Sequence, residues 1–337
     1  AITPHLAANT ETTSSFYAIV SDSGKTMFVD YGSASWTFFQ VFSRYVDVFD
    51  RMRFVEHSIE KLRARHGLKS IDVAMPSHMH DDHLNGFPYL ARHHGTKIWC
   101  YENMVDILEN PRGQNLGCTL GEPIKVDRTF RHKETFRWEE FEFTVVHSPG
   151  HTNYQMAMFA TIDGARIAFT GDAFFNNPDN PNSLRHNLIY RNEVKSGDHV
   201  HSIRNILDFE PNIVAPGHGR LFLVNRETAL NFEERAKKQD VLFQELIADP
   251  DADMGLDPAW VRIYPYQMMV LPGQNKRVQV RVKNHRSRMI HLEGVFVLPN
   301  GWRSNPSRIS LDIEPRSAAN TDATISIPAT YSDPISR

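Results

Sequence analysis

Cysteine is scarce in this chain, with only Cys100 and Cys118 among 337 residues. Neither lies in a Cys-x-x-Cys or Cys/His spacing, so neither a disulfide framework nor a cysteine-held zinc organises the fold. Two unpaired thiols are the favoured reading, with a single bridge in an exported protein as the other. Long apolar runs are missing too: no stretch approaches the roughly 18 residues that a membrane span needs. The N-terminus lacks a basic-then-apolar leader. It starts at Ala1 rather than Met, which fits a processed export signal or an upstream segment outside the sequence. Basic residues are not in excess, since 37 Lys and Arg stand against 40 Asp and Glu for a net charge of −3. Nothing therefore pulls the chain toward nucleic acid or an anionic membrane. What remains is globular: 41% hydrophobic and 23% charged residues suffice for a sizeable core. The length suggests two domains.

Histidine is plentiful, 17 in all, and its densest run is Ser77-His78-Met79-His80-Asp81-Asp82-His83. The run follows Ile71–Met75, an apolar stretch closed by Pro76 that reads as a short buried strand. His78 and His80, alternating, can point at one ion while Asp82 and His83 turn toward another. Imidazole mixed with carboxylate suits zinc or another first-row divalent metal rather than the all-oxygen shell of calcium or magnesium. One cluster leaves two ions short of ligands. Downstream, three strand-like runs end at Gly-containing turns that present His151, Asp172 and His218. Glycine there lets the backbone aim a side chain off the strand end.

The set His78-x-His80-x-Asp82-His83, then His151, Asp172 and His218, resembles the metallo-β-lactamase superfamily of metal-dependent hydrolases, with spacing similar to its hydroxyacylglutathione hydrolases and lactonases. The resemblance covers roughly residues 14 to 245. It implies an α/β (α+β) four-layer αββα sandwich with two divalent ions at one edge, zinc first, with manganese or iron as alternatives. His78, His80 and His151 would hold the first ion, and Asp82, His83 and His218 the second, with Asp172 bridging. Asp82 and Asp172 are the catalytic carboxylates by this resemblance, beside a hydroxide shared by the metals. Asp81 takes the motif's variable position and reads as a solvated carboxylate or as a partner for an outer ring nitrogen. His93, His94, His199 and His201 read as background, His199 standing closest to the site.

The element pattern is mixed. Residues 1–13 read as a loose lead-in. Phe16–Val20 and Thr26–Asp30 read as a hairpin, and Val29-Asp30-Tyr31-Gly32 resembles the family's early Asp-x-Gly turn. Helices are expected over 54–66, 84–94, 102–109, 198–208 and 225–247. Strands are expected over 71–75, 141–146, 155–161 and 165–170. Residues 110–125 read as a loop bordering the site. The Asn- and Pro-rich span 173–194 has the composition of an active-site loop, and Phe175, Arg185, His186 and Tyr190 are candidate substrate-lining residues. The lactonases carry Tyr where Phe175 stands, which argues against that branch. Residues 1–250 make the expected catalytic domain. An acidic linker follows, and from 258 to 337 alternating strands argue a small antiparallel β-sandwich. Its short motifs resemble the immunoglobulin-like modules of exported carbohydrate-active enzymes, which implies an extracytoplasmic setting, with a cytoplasmic one as the alternative.

The expected reaction is hydrolysis of an ester, thioester, lactone or related bond in a small molecule. Fold alone does not choose among these; a phosphodiester or β-lactam bond remains an alternative. So does an iron-dependent oxygenase of the same fold, although His80 stands where flavodiiron proteins carry Glu. The stretch from Asp172 to His218 is too short for the cap domain of the nucleic-acid-processing branch. Oligomeric state is not legible.

Overall fold

The structure is a computed structural model that describes residues 2–9, 14–32, 51–177, 180–188, 192–253 and 260–330. The chain divides into two units, Ala1–Pro111 with Leu116–Leu242, and Arg112–Asn115 with Phe243–Arg337.

The first unit is built on two six-stranded sheets. In the first, β1 (Leu6–Asn9), β2 (Phe16–Val20), β3 (Lys25–Val29), β4 (Ser70–Met75), β5 (Lys97–Tyr101) and β6 (Arg128–Phe130) lie side by side in that order. β1 to β3 run antiparallel, and β3 to β6 are parallel. Parallel neighbours need crossovers, and these carry α1 (Arg51–His66), α2 (Asp81–Leu84), α3 (Phe87–His94) and α4 (Val105–Glu109).

The second sheet contains β7 (Glu134–Trp138), β8 (Phe141–His147), β9 (Met156–Ile162), β10 (Ala165–Gly171), β13 (Ile213–Pro216) and β14 (Phe222–Leu223). Its order is β14-β13-β10-β9-β8-β7. A separate hairpin pairs β11 (Phe174–Asn177) with β12 (Asn180–His186). Helices α5 (Asp198–Phe209) and α6 (Arg226–Leu246) complete the unit.

Strand alternation sorts the core into layers. Along β9, Met156, Met158 and Ala160 join a cluster with Phe16, Phe28 and Met75 of the first sheet, whereas Ala157 and Phe159 join Ile203, Ile206 and Phe232 of α5 and α6. β10 repeats this: Ile167 and Phe169 face the first sheet, Ala168 the helices. On the far side of the first sheet, Val55, Ile59 and Leu62 of α1 and Phe87 and Leu90 of α3 are buried at helical spacing. The layers run helix, sheet, sheet, helix, in agreement with the expected αββα order. β2 is buried along its whole length, which is why Phe16–Val20 reads as a continuous apolar run rather than an alternating one.

Three expectations need correction. The lead-in is not loose throughout, because Leu6–Asn9 pairs with β2 from Leu6↔Ile19 to Asn9↔Phe16. The helix expected over 84–94 is two helices. Pro88 in a continuous helix would clash with the carbonyl of Leu84, so the chain restarts and Pro88 falls in the first turn of α3. The span 173–194 is not simply a loop, because Phe174 and Leu184 pack into the α5/α6 layer and the strands carrying them pair. β6 and β7 were not anticipated at all.

Beyond the end of α6, the regular elements of the second unit among the described residues are strands. One sheet has the order β15 (Val261–Tyr264), β16 (Asn275–Lys283), β20 (Ala318–Ser326), β18 (Arg303–Asn305); the other pairs β17 (Ile290–Val295) with β19 (Arg308–Ile313). Every pairing is antiparallel. Val278, Val280 and Val282 turn inward at alternate positions of β16, and β17 ends at Val295. Cys100 and Cys118 are free thiols. Among the described residues no helix is long and apolar enough to cross a membrane.

Candidate metal centre

The centre forms where β4, β8, β10 and β13 end. After β4 the chain turns at Pro76-Ser77 and enters α2, whose first-turn carboxylates Asp81 and Asp82 complement the helix dipole. The turn after β3 clamps this segment. Tyr31 N donates to His83 O (2.7 Å) and Ser14 Oγ to Asp82 O (2.5 Å). Gly32 lies so close to Asp82 that a Cβ there would fall 1.3 Å from its carbonyl oxygen. Only glycine fits that approach, which accounts for the Asp-x-Gly pattern.

Seven side chains then converge. His78 Nε2 and His151 Nε2 lie 3.1 and 2.9 Å from His80 Nδ1. His83 Nε2, His218 Nε2 and Asp82 Oδ2 form a second triangle with sides of 3.3, 3.2 and 3.5 Å. Asp172 joins the two: Oδ1 is 3.4 Å from His83 Nε2, while Oδ2 is 3.3 Å from His218 Nε2 and 3.7 Å from His151 Nε2. Donors on a tetrahedral zinc with bonds of about 2.05 Å stand about 3.3 Å apart. The two distances to His80 Nδ1 and the three sides of the second triangle are near that size. Asp172 Oδ1 is buried with no hydrogen-bond partner, a state that a cation would relieve. The donor set fits two divalent ions.

Three of the outer ring nitrogens have close polar neighbours, whereas His151 Nδ1 is buried with no hydrogen-bond partner. Ser77 Oγ lies 3.0 Å from His78 Nδ1 and donates to Asp30 Oδ2 (2.8 Å). Asp30 Oδ1 accepts from Ser77 N (2.6 Å), and Oδ2 faces His83 Nδ1 (3.0 Å). Asn192 Nδ2 donates to His80 Nε2 (3.0 Å). The Ser77 and Asp30 contacts put the proton of His78 and of His83 on Nδ1 and leave Nε2 facing inward. Asn187 Nδ2 donates to Asp172 Oδ2 (2.9 Å).

The two triangles differ electrically. Burial, helped by neighbouring imidazoles, holds His78 well below its ordinary range, His80 at about 3 and His151 at about 4. All three offer neutral lone pairs at neutral pH. At the second triangle burial opposes charge, yet Asp82, Asp172 and Asp30 raise His83 to about 9, and Asp172 and Asp82 raise His218 to about 11. Against burial, the same contacts push Asp82 down to about 2 and Asp172 well below the carboxylate range. Without a cation, protons occupy the place that a cation would take.

Asp82 and His218 are the accessible edge, with side chains 31% and 34% exposed, against 4% for Asp172 and 2% for His151. Phe175 borders this edge, its ring 6.0 Å from that of His218. Arg185 pairs with Phe175 across the hairpin, on the same face, and is exposed. His186 is on the opposite face, packed against Phe232 (4.2 Å) and His199 (4.0 Å). It turns to the core rather than to the site, because Phe174, Leu184 and His186 share the inward side of the hairpin. Tyr190 lies outside the described residues. His93 is exposed and stacks on Tyr89 (4.2 Å). His199 is buried against Gly150. The outer-nitrogen contact to His83 comes from Asp30 rather than from Asp81. Asp30, Asn187 and Asn192 were missed in these roles. The Asp-x-Gly turn pointed to the first, while nothing in an Asn-rich stretch singles out the other two.

The metallo-beta-lactamase superfamily profile matches residues 50–218, half of the chain and a span that holds all seven donors. The chain belongs to the metallo-beta-lactamase superfamily. A Drosophila melanogaster "Beta-lactamase-like protein 2 homolog" is 26% identical over 152 residues, 45% of this chain and 46% of that relative. The chain thus spans about half the length of that curated relative. Among solved structures, a metallo-beta-lactamase from Elizabethkingia meningoseptica is similar in fold, at 14% identity over 73% of this chain and 92% of that one, with a TM-score of 0.52. A metallo-beta-lactamase family protein from Thermus thermophilus matches at 15% identity over 74% and 85%, with a TM-score of 0.51.

Proposed function

We propose that this chain is a dinuclear hydrolase acting on an ester, thioester, lactone or related bond of a small molecule. His78, His80 and His151 would hold one divalent ion and Asp82, His83 and His218 the other, with Asp172 placed to serve both. The observation that carries this reading is the pair of donor triangles joined by Asp172, whose buried Oδ1 accepts no hydrogen bond. Zinc suits this donor set best, and manganese or iron also accept it.

Bound there, the two ions would supply Lewis acidity and bring the pKa of a water down to roughly 7. The protein's own groups do the rest. Asp82, the more exposed carboxylate, takes up the proton from the attacking water and passes it toward solvent. The second triangle forms the accessible edge, so substrate approaches past Phe175, whose ring offers an apolar wall. Arg185, on the same face of the hairpin, suits an anionic group of the substrate. Ser77 and Asp30 keep the His78 and His83 rings in the tautomers that leave their lone pairs facing inward.

For the C-terminal unit, we propose an immunoglobulin-like module over 258–337 with a packing or spacer role and an extracytoplasmic setting. Two antiparallel sheets with alternating buried valines support this reading. The enzymatic proposal is tested with zinc- or manganese-loaded protein against nitrophenyl esters, thioesters, lactones, nitrocefin and bis-nitrophenyl phosphate. Turnover of acyl bonds is expected. A fully loaded protein that cleaves none of them overturns the proposal, and purified protein that carries iron with a visible absorption band points to the oxygenase.

A further inference from the structure

A second group of donors gathers at the opposite end of the strands. Asp22 precedes β3, Glu140 precedes β8 and Asp163 precedes β10, whereas the centre described above lies beyond the other ends of these strands. His5, just before the edge strand β1, reaches all three turns. Its backbone N donates to Asp163 Oδ2 (2.9 Å), and its Nδ1 lies 2.6 Å from Asp163 Oδ1. Its Nε2 lies 3.1 Å from Asp22 Oδ1. Asp22 N donates to Glu140 Oε1 (2.7 Å), which brings that carboxylate beside the ring. Donor atoms of His5, Asp22 and Glu140 all lie within 4.8 Å of one another.

The arrangement around the ring is directional. Asp163 takes the Nδ1 proton, as a carboxylate does behind a metal-bound imidazole, and this leaves the Nε2 lone pair aimed at two further carboxylates. Two electron-rich atoms 3.1 Å apart need a cation or a proton between them. A proton there makes His5 an ion-pair partner of Asp163 and Asp22, and a divalent cation is the other occupant that satisfies both atoms. Among the described residues no Lys or Arg forms an ion pair with Asp22, Glu140 or Asp163; the neighbouring Lys25 is paired with Glu139 (2.8 Å). A divalent cation supplies the missing charge and uses the free oxygens of Asp22 and Glu140 with His5 Nε2.

We propose that His5, Asp22 and Glu140 bind a first-row divalent cation of the zinc type, with Asp163 as the positioning residue behind His5. The imidazole nitrogen selects against calcium. The cation ties the edge strand β1 to the β2–β3 and β7–β8 turns, and so joins the two sheets at the rim away from the catalytic centre. Its role is structural, since three donors on exposed turns enclose no substrate cavity.

The test counts zinc in the full-length protein after dialysis against micromolar zinc chloride, for the unaltered chain and for His5→Gln and Glu140→Gln. Both variants are expected to carry one zinc fewer per chain and to keep the activity of the loaded enzyme. Zinc, but not calcium, is expected to raise the melting temperature of the unaltered chain by more than that of Glu140→Gln. Glu140→Gln alters only an exposed turn side chain, so it reports even where His5→Gln fails to fold. Equal zinc content in the unaltered chain and Glu140→Gln would overturn the site and leave a surface ion pair. Equal stabilisation by calcium and zinc would remove the imidazole from the ligand set, and the proposal with it.

Discussion

Replacing Asp30 by Asn probes how the centre chooses its tautomers. Asp30 is buried, has φ of 58°, and accepts three contacts, from Ser77 N, Ser77 Oγ and His83 Nδ1. Asparagine tolerates that left-handed backbone, so the fold should survive. The amide has one acceptor to share. Its oxygen must serve Ser77 N, because a backbone N–H cannot move its proton, and a buried donor left facing another donor costs about 1–3 kcal/mol. The amide nitrogen then faces Ser77 Oγ, which can rotate and accept, and His83 Nδ1. The cheapest escape is for His83 to shift its proton to Nε2, the atom that completes the second triangle. Losing such an outer partner typically weakens a metal site 10–100-fold, or about 1.4–2.8 kcal/mol. The assay is competition for zinc with a chromophoric chelator, alongside thermal melting. The equivalent held by His83 should weaken by that factor, whereas the other is reached only indirectly, through Ser77 and His78, because His80 and His151 do not touch Asp30. Wild-type affinity for both equivalents in a folded Asp30→Asn protein would refute the tautomer argument.

Asp172→Ala should lose metal and activity together, whereas His93→Ala should change neither; equal loss in both would discredit the site. Gly217→Ala should fold with a defective second site, since its Cβ would lie 2.2 Å from Asp172 Oδ1 and 2.6 Å from His83 Cε1. Normal zinc content in that variant would count against the packing described. In the metal-free protein His83 and His218 are raised to about 9 and 11, so both are protonated at pH 7 and a cation must displace those protons. Metal binding should therefore weaken as pH falls and release on the order of two protons. Calorimetry in buffers of differing ionisation heat checks this, and an absence of proton release would contradict it.

The donors were legible because each combines a chemical type with a local signal. His78, His80, Asp82 and His83 crowd into one turn, and His151, Asp172 and His218 each follow an apolar run and a glycine. Periodicity marked the elements at 54–66, 71–75 and 155–170, while the layer order came only from the resemblance to the family. β1 was not, because Leu-Ala-Ala-Asn has little strand character of its own and is a strand only through its pairing with β2. The hairpin of 174–186 was hidden by asparagines and prolines, although Phe174 and Leu184 carried its buried face. His186 looked like a pocket residue until the register set it on that face. Asn187 and Asn192 act through long-range contacts to Asp172 and His80, which neither spacing nor residue type encodes. Asp81 illustrates the reverse error, since adjacency in the chain suggested a partner role that geometry gives to Asp30, about fifty residues away.

The two sheets contribute unequally to one set of ligands: four donors from the turn after β4, three from the ends of β8, β10 and β13. A cation held there acts as a rivet through the sandwich as well as a reagent. Chelation should therefore loosen the rim where it sits, so that backbone amides of 77–83 and 148–152 exchange faster while the middle of β9 stays protected. Idle copies and soft copies become the same population, and a protease that cuts frayed edges would clear the unloaded enzyme first.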